Sequence, residues 1–123
     1  MNRFSFRALP RKVLAMLAVT ALLSSTALAA FPDKPIRVVI GFPAGGPLDQ
    51  HARLLTDRLQ AVLGQPIVID YKSGAGGTVG AQDVMKAAPD GYTLMLANTG
   101  VMVINPALYS KLPYNTLKDF TPI

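Results

Sequence analysis

The chain has 123 residues, no cysteine and a formal net charge of +5. Its length allows one domain at most, and the lack of cysteine excludes a disulfide framework. The positive charge does not predict a nucleic-acid partner, because four of the basic residues precede position 13. From Ala30 onward, eight Lys and Arg residues against seven Asp residues leave a net charge of +1.

Residues 1–29 have the pattern of a secretory signal peptide. A basic start is followed by an apolar run over 13–29, which ends in Ala27-Leu28-Ala29, an A-x-A cleavage site. A membrane anchor is the alternative, but the run is at the short limit for spanning and contains four hydroxyl residues near its end. No Arg-Arg pair and no lipid-accepting cysteine are present. We expect an exported protein whose mature part begins at Ala30.

The mature part predicts alternating strands and helices. Strands are expected over 36–42, 67–69 and 92–97, and helices over 48–63, 79–88 and 101–109, the last interrupted by Pro106. Thr78 is the expected N-cap of the second helix. Such βαβ units predict an α/β fold with a parallel sheet and right-handed crossovers. The first helix carries an apolar stripe that is expected to face inward: Leu48, Ala52, Leu55, Leu59 and Val62.

The residues that chemistry would need are scarce. His51 is the single histidine, and it is expected to be a surface or core-edge helix residue. With no cysteine, it cannot form a typical zinc site. The Asp residues are dispersed, and no nucleophile elbow is present. We therefore expect neither catalysis nor a metal or other cofactor.

Three turns follow the ends of the three predicted strands. The first runs over 43–47, the second over 74–80 and the third over 98–100. The Walker pattern fails, because Pro47 and Ala81 follow the glycines. The dinucleotide fingerprint fails because position 79 is valine. In an open parallel sheet, such turns meet at the carboxyl ends of the strands, where ligands bind.

The turns also supply uncharged donors. N–H groups in a helix first turn have no intrahelical acceptor and favour anions. Without Lys or Arg in the turns, this donor set suits a small carboxylate better than a polyphosphate. The alternative is that the glycines only permit tight turns. The candidate ligand-binding residues from this reasoning are Gly45, Gly46, Gly76, Gly77, Thr78 and Asn98.

Asp49 has two interpretations. A carboxylate in the first turn of a helix commonly serves the helix dipole and the cap. In an anion cleft it would repel the ligand unless it faced away or met an ammonium or hydroxyl group. The capping role is favoured.

Four segments together resemble the tripartite tricarboxylate transporter receptors, the Bug family of extracytoplasmic solute receptors. They are FPDKPIRVVIGFPAGGPLD, GQPIVIDYKSGAGGTVGA, KAAPDGYTLMLANTG and INPALYSKLPYNTLKDFTPI. The resemblance implies a fold like that of type II periplasmic binding proteins, with two lobes around a cleft. It also implies capture of a small organic acid for the permease subunits of a membrane transporter. It places Pro43, Gly45, Gly46, Asp49, Gly76, Gly77 and Thr99 on the ligand-facing loops.

The sequence departs from the family pattern at three places. Ala44 stands where a second proline is common, and Leu48 replaces a common Thr or Ser. Tyr71-Lys72-Ser73 replaces Asn-Arg-Pro. Such receptors are at least twice as long, so residues 30–123 are expected to be the first part of lobe one, with the second lobe absent. Two alternatives stay open: a ligand sensor that signals to a membrane partner, and part of an exported α/β enzyme.

Overall fold

The computed structural model describes residues 30–123; the predicted signal peptide lies outside this range. The strands are β1 (Ile36–Ile40), β2 (Ile67–Tyr71) and β3 (Thr93–Leu96). The helices are α1 (Pro47–Leu63), α2 (Thr78–Met85) and α3 (Asn105–Leu108). A 3₁₀ turn (Ala75–Gly77) leads into α2, and a π-helical turn (Gly100–Ile104) leads into α3. No helix within residues 30–123 is long and apolar enough to cross a membrane.

The three strands form one parallel sheet in the order β2-β1-β3. The predicted parallel α/β fold is therefore confirmed. β1 is central and nearly all of it is buried, with Val39 and Ile40 fully enclosed. Since β1-α1-β2 and β2-α2-β3 move in opposite directions across the sheet, right-handed crossovers place α1 and α2 on opposite faces.

β1 ends two residues earlier than predicted because of a close glycine contact. A Cβ built on Gly41 would lie 2.7 Å from the Gly77 Cα, and one on Gly80 would lie 2.9 Å from the Gly41 Cα. The chain after β1 thus touches the start of α2 backbone to backbone, which only glycine allows. This contact draws the first two turns together at the carboxyl edge of the sheet.

α1 faces the sheet with a different side than the apolar stripe predicted. Asp49, Ala52 and Thr56 are its buried residues, whereas Leu55 and Val62 are 48% and 81% exposed. The prediction that Leu55 and Val62 face inward was therefore wrong. Asp49 points inward, where it makes the hydrogen bonds described below.

Two other boundaries differ from the predictions. Thr78 is not the N-cap of α2, because Gly77 occupies that position and no side chain caps the helix. Gly76 and Gly77 adopt positive φ angles of 63° and 88°, which allow the 3₁₀ turn to begin earlier. Thr78 is then already helical, and α2 ends at Met85 instead of position 88.

Pro106 leaves one carbonyl of the π-helical turn before α3 without a backbone donor. Asn105 N–H donates to the Gly100 carbonyl five residues back. In that register the Val101 carbonyl would accept from residue 106, but proline has no N–H. The buried Tyr114 hydroxyl donates to the Val101 carbonyl instead. A tyrosine far along the chain thus supplies the donor that Pro106 lacks.

Tyr114→Phe is therefore expected to lower the free energy of unfolding by about 1–3 kcal/mol, since it strands a buried carbonyl. Tyr109→Phe is the control, because Tyr109 is 48% exposed and surface changes cost within about 0.5 kcal/mol. Urea denaturation measures both. In a Pro106→Ala background, which restores an N–H, the Tyr114→Phe cost should shrink. An unchanged cost would contradict the assigned role of Tyr114.

Candidate functional site

A cleft of about 590 Å³ opens at the carboxyl edge of the sheet. Its wall comes from the turn after β1, from the first two turns of α1 and from Asn98, which follows β3. In an order β2-β1-β3, the strand order reverses between β1 and β3, and ligands of open α/β sheets bind at that switch point. The lining residues are Phe42, Pro43, Ala44, Gly46, Pro47, Leu48, His51 and Asn98.

Gly77 joins the three turns behind the cleft. Its position is buried, and a Cβ there would lie 2.5 Å from Val101 Cγ2 and 3.2 Å from the Phe42 ring. Phe42 immediately precedes the first turn, Gly77 lies in the second, and Val101 immediately follows the third. The Asn105 side chain adds a second tie, since its amide donates to the Gly76 carbonyl at 3.0 Å. The predicted convergence of the three turns is present in the structure.

Asp49 organises the first turn from behind. It is 4% exposed, and its carboxylate accepts from the Gly45 N–H at 2.7 Å and from the Tyr71 hydroxyl at 2.6 Å. Arg53, one helical turn later, reaches it at 3.0 Å and also donates to the Tyr71 hydroxyl at 2.9 Å. The side chain therefore ties α1 to the end of β2 and fixes the turn that lines the cleft.

These contacts depress the pKa of the Asp49 carboxyl below its ordinary value. The Tyr71 hydrogen bond is the main cause, followed by the Gly45 N–H; burial opposes them. The same bond raises the pKa of the Tyr71 hydroxyl. Since the folded pKa is lowered, the contribution of Asp49 to stability is present above the unfolded value of about 3.9. It is lost as the pH falls through the folded pKa.

We expect the Asp49 side-chain carboxyl carbon, followed by NMR against pH, to titrate below about pH 3.9. Tyr71→Phe should move its midpoint upward, because the largest cause of the shift is removed. A midpoint at or above the ordinary Asp value in the unaltered chain would contradict the network. So would a midpoint indifferent to Tyr71→Phe.

The predicted ligand-binding residues fall into two groups. Pro43, Gly46 and Asn98 line the cleft. The other six do not line it: Gly45, Asp49, Gly76, Gly77, Thr78 and Thr99.

Several of the backbone donors that the sequence suggested are engaged inside the chain. The Gly45 N–H donates to Asp49 and the Gly77 N–H to the Gly74 carbonyl at 2.9 Å. The Val101 N–H donates to Asn98 Oδ1 at 3.1 Å, so Asn98 acts as a helix cap after β3. Pro47, the first residue of α1, has no N–H at all. The N–H groups of Leu48 and Asp49 in the first turn of α1 remain without an intrahelical acceptor.

Five cleft residues were not among the predicted site residues, and His51 is one of them. Pro47, Leu48 and His51 share one face of α1, since residues three and four apart are neighbours on a helix. Once the first turn of α1 was assigned to the site, the spacing from Pro47 and Leu48 could have pointed to His51. In the part of the chain that the structure describes, no three His, Asp or Glu side chains gather as metal ligands would need.

The arrangement defines a class: an α/β domain with a parallel sheet and a cleft at its topological switch point. The family model described as "Tripartite tricarboxylate transporter family receptor" matches residues 51–123, which is more than half of the chain. The chain belongs to this family of receptors.

Three solved structures are similar to the chain. The periplasmic binding protein BugD is 40% identical, with a TM-score of 0.72 over 76% of this chain and 31% of its own. MatC from Rhodopseudomonas palustris with bound malate is 48% identical, with a TM-score of 0.72 over 75% of this chain and 31% of its own. Another R. palustris protein, with adipate, is 37% identical at a TM-score of 0.72, covering 75% of this chain and 31% of its own. The chain spans about a third of the length of the curated relatives it matches.

Proposed function

We propose that the chain forms part of an exported receptor that captures a small organic acid without converting it chemically. The observation that carries the proposal is the cleft at the β1/β3 switch point, lined by the first turns of α1 and by Asn98. Membership of a receptor family and the similarity to proteins with bound malate and adipate support it. Export through the signal peptide 1–29 and residence in the periplasm belong to the same proposal.

The carboxylate would be held by dipoles instead of a cation. Within residues 30–123, neither Lys nor Arg lines the cleft, so the available donors are the N–H groups of the α1 first turn and the side-chain N–H groups of Asn98 and His51. The α1 dipole adds about half a positive charge at this point. Hydrogen bonds to a charged group contribute about 1.5–3 kcal/mol each, and two or three of them suit a millimolar to micromolar complex.

The transporter partnership is inferred from the family description. A receptor of this kind would deliver its ligand to membrane permease subunits, and we propose such subunits as the partner. The second lobe implied by the resemblance would cover the open side of the cleft and exclude water. Residues 30–123 supply one wall only, so we expect the chain alone to bind weakly, with a millimolar Kd.

The test is an NMR titration of the isotope-labelled chain with malate, adipate and glucose. We expect the acids to shift the amides that line the cleft and glucose to shift none of them. If glucose shifted those amides and neither acid did, the carboxylate assignment would be wrong. If neither an acid nor glucose shifted those amides, the proposal that this wall binds a ligand would be wrong.

A further inference from the structure

The wall of the cleft is more hydrophobic than a site for a highly charged ligand requires. Five of its eight residues present hydrocarbon: Phe42, Pro43, Ala44, Pro47 and Leu48. They lie close together, since all five fall between residues 42 and 48. Phe42 also packs beside Gly77. Binding a ligand with carboxylates on several sides would dehydrate charge against this surface, which is unfavourable without partners.

The polar groups of the wall are few. Gly46 offers only its backbone. Asn98 has its oxygen engaged by the Val101 N–H, which leaves its amino group as the donor. His51 is the one ionisable side chain among the eight lining residues. It is exposed and lies beside Leu48 on the same face of α1.

The charged groups near His51 are committed elsewhere. On α1, Asp49 and Arg53 pair with each other and with Tyr71 on the far side of the helix. The turn 42–46 carries no charged residue, and neither do residues 97–101 after β3. At the end of β2, Lys72 pairs with Asp70. A carboxylate in the cleft would therefore meet no acidic side chain among the eight lining residues.

We propose that the cleft takes an organic acid whose single carboxylate is attached to an apolar ring or chain. The carboxylate lies toward His51 and Asn98, and the apolar part covers the hydrocarbon wall. This assignment rests on the proposed function and narrows it. An apolar body gains by displacing water from the wall, while a second carboxylate on a short chain finds no partner there.

Three compounds test the narrowed ligand class separately from the proposed function: malate, cyclohexanecarboxylate and cyclohexylmethanol. We expect NMR titration of the whole chain to give cyclohexanecarboxylate an affinity about tenfold higher than that of malate, because several methylene groups cover the wall. Leu48→Ser should narrow or reverse this ratio, and Gln50→Ala, on the exposed side of α1, should leave it unchanged. Malate binding as tightly as cyclohexanecarboxylate would overturn the narrowed class and leave the proposed function standing. Cyclohexylmethanol binding as tightly as cyclohexanecarboxylate would overturn both.

The position of the carboxylate has its own test. We expect His51→Ala to weaken the binding of cyclohexanecarboxylate about fivefold, because an N–H donor beside the carboxylate is lost. His51→Gln keeps an N–H donor, so it should weaken binding less, and Gln50→Ala should leave the affinity unchanged. If His51→Ala bound cyclohexanecarboxylate as tightly as the unaltered chain does, the role of His51 would be overturned.

Discussion

Replacing Gly77 with alanine is expected to lower the free energy of unfolding by about 2–5 kcal/mol. Gly77 has a φ of +88°, where a Cβ costs about 1–2 kcal/mol. The new Cβ would also lie 2.5 Å from Val101 Cγ2 and 3.2 Å from the Phe42 ring. Forcing a methyl group into such a packed position costs about 1–3 kcal/mol more.

Gly45 provides a matched control for this substitution. Its φ of +84° is nearly the same, but nothing lies within 4 Å of a Cβ built there. Gly45→Ala should therefore cost only the backbone strain of about 1–2 kcal/mol. Urea denaturation of the two variants separates the contact from the strain. Equal losses would mean that Gly77 is not where the three turns pack together.

Asn98→Asp is expected to weaken binding of malate or another carboxylate by about a hundredfold without destabilising the chain. The substitution nearly preserves shape, and Asp caps a helix as well as Asn does. The hydrogen bond from the Val101 N–H is therefore kept. A new negative charge within about 5 Å of the ligand costs about 3 kcal/mol at an effective dielectric constant near 20. NMR titration measures the affinity, and urea denaturation measures the stability.

Asn98→Ala shows whether charge is the cause. This variant loses the cap and about 1 kcal/mol of stability, but it introduces no repulsion. We expect it to lose the Asn98 hydrogen bond to the ligand and so to weaken binding less than Asn98→Asp does. If the aspartate variant bound the acid as well as the unaltered chain, Asn98 would not face the ligand.

Much of the fold could be predicted because its signals are local. The buried run of β1, the Gly64 helix end and the glycine turns predict a parallel α/β sheet, and the structure confirms it. The order β2-β1-β3 was not predicted. It depends on which strands pair, and strand pairing is not encoded in any one segment.

The predictions failed where distant residues decide local structure. The apolar spacing on α1 suggested that Leu55 and Val62 face inward. The inward side carries Asp49 instead, which bonds to Tyr71, 22 residues along the chain. Likewise, Pro106 suggested an interrupted helix, but the Tyr114 hydroxyl that stabilises the π-helical turn comes from 13 residues beyond Val101.

The cleft lies where the predicted turns meet, but only some of the predicted residues line it. The turns after the strands meet as expected, and Pro43, Gly46 and Asn98 line the cleft. Gly45 and Asp49 bond to each other behind it. The structural role favoured for Asp49 agrees with this bond, whereas its partners Gly45 and Tyr71 were not predicted. His51 was missed because its residue type indicates catalysis or metal binding before it indicates a cleft wall.

Amide NMR of the labelled chain, titrated with malate, tests most directly whether the turns at the β1/β3 edge form one anion site. The amides of Gly46, Leu48, Asp49 and Asn98 are expected to shift together and to saturate with a single Kd in the millimolar range. Shifts that appear instead at the exposed lysines, with the four amides unmoved at saturation, would contradict this expectation.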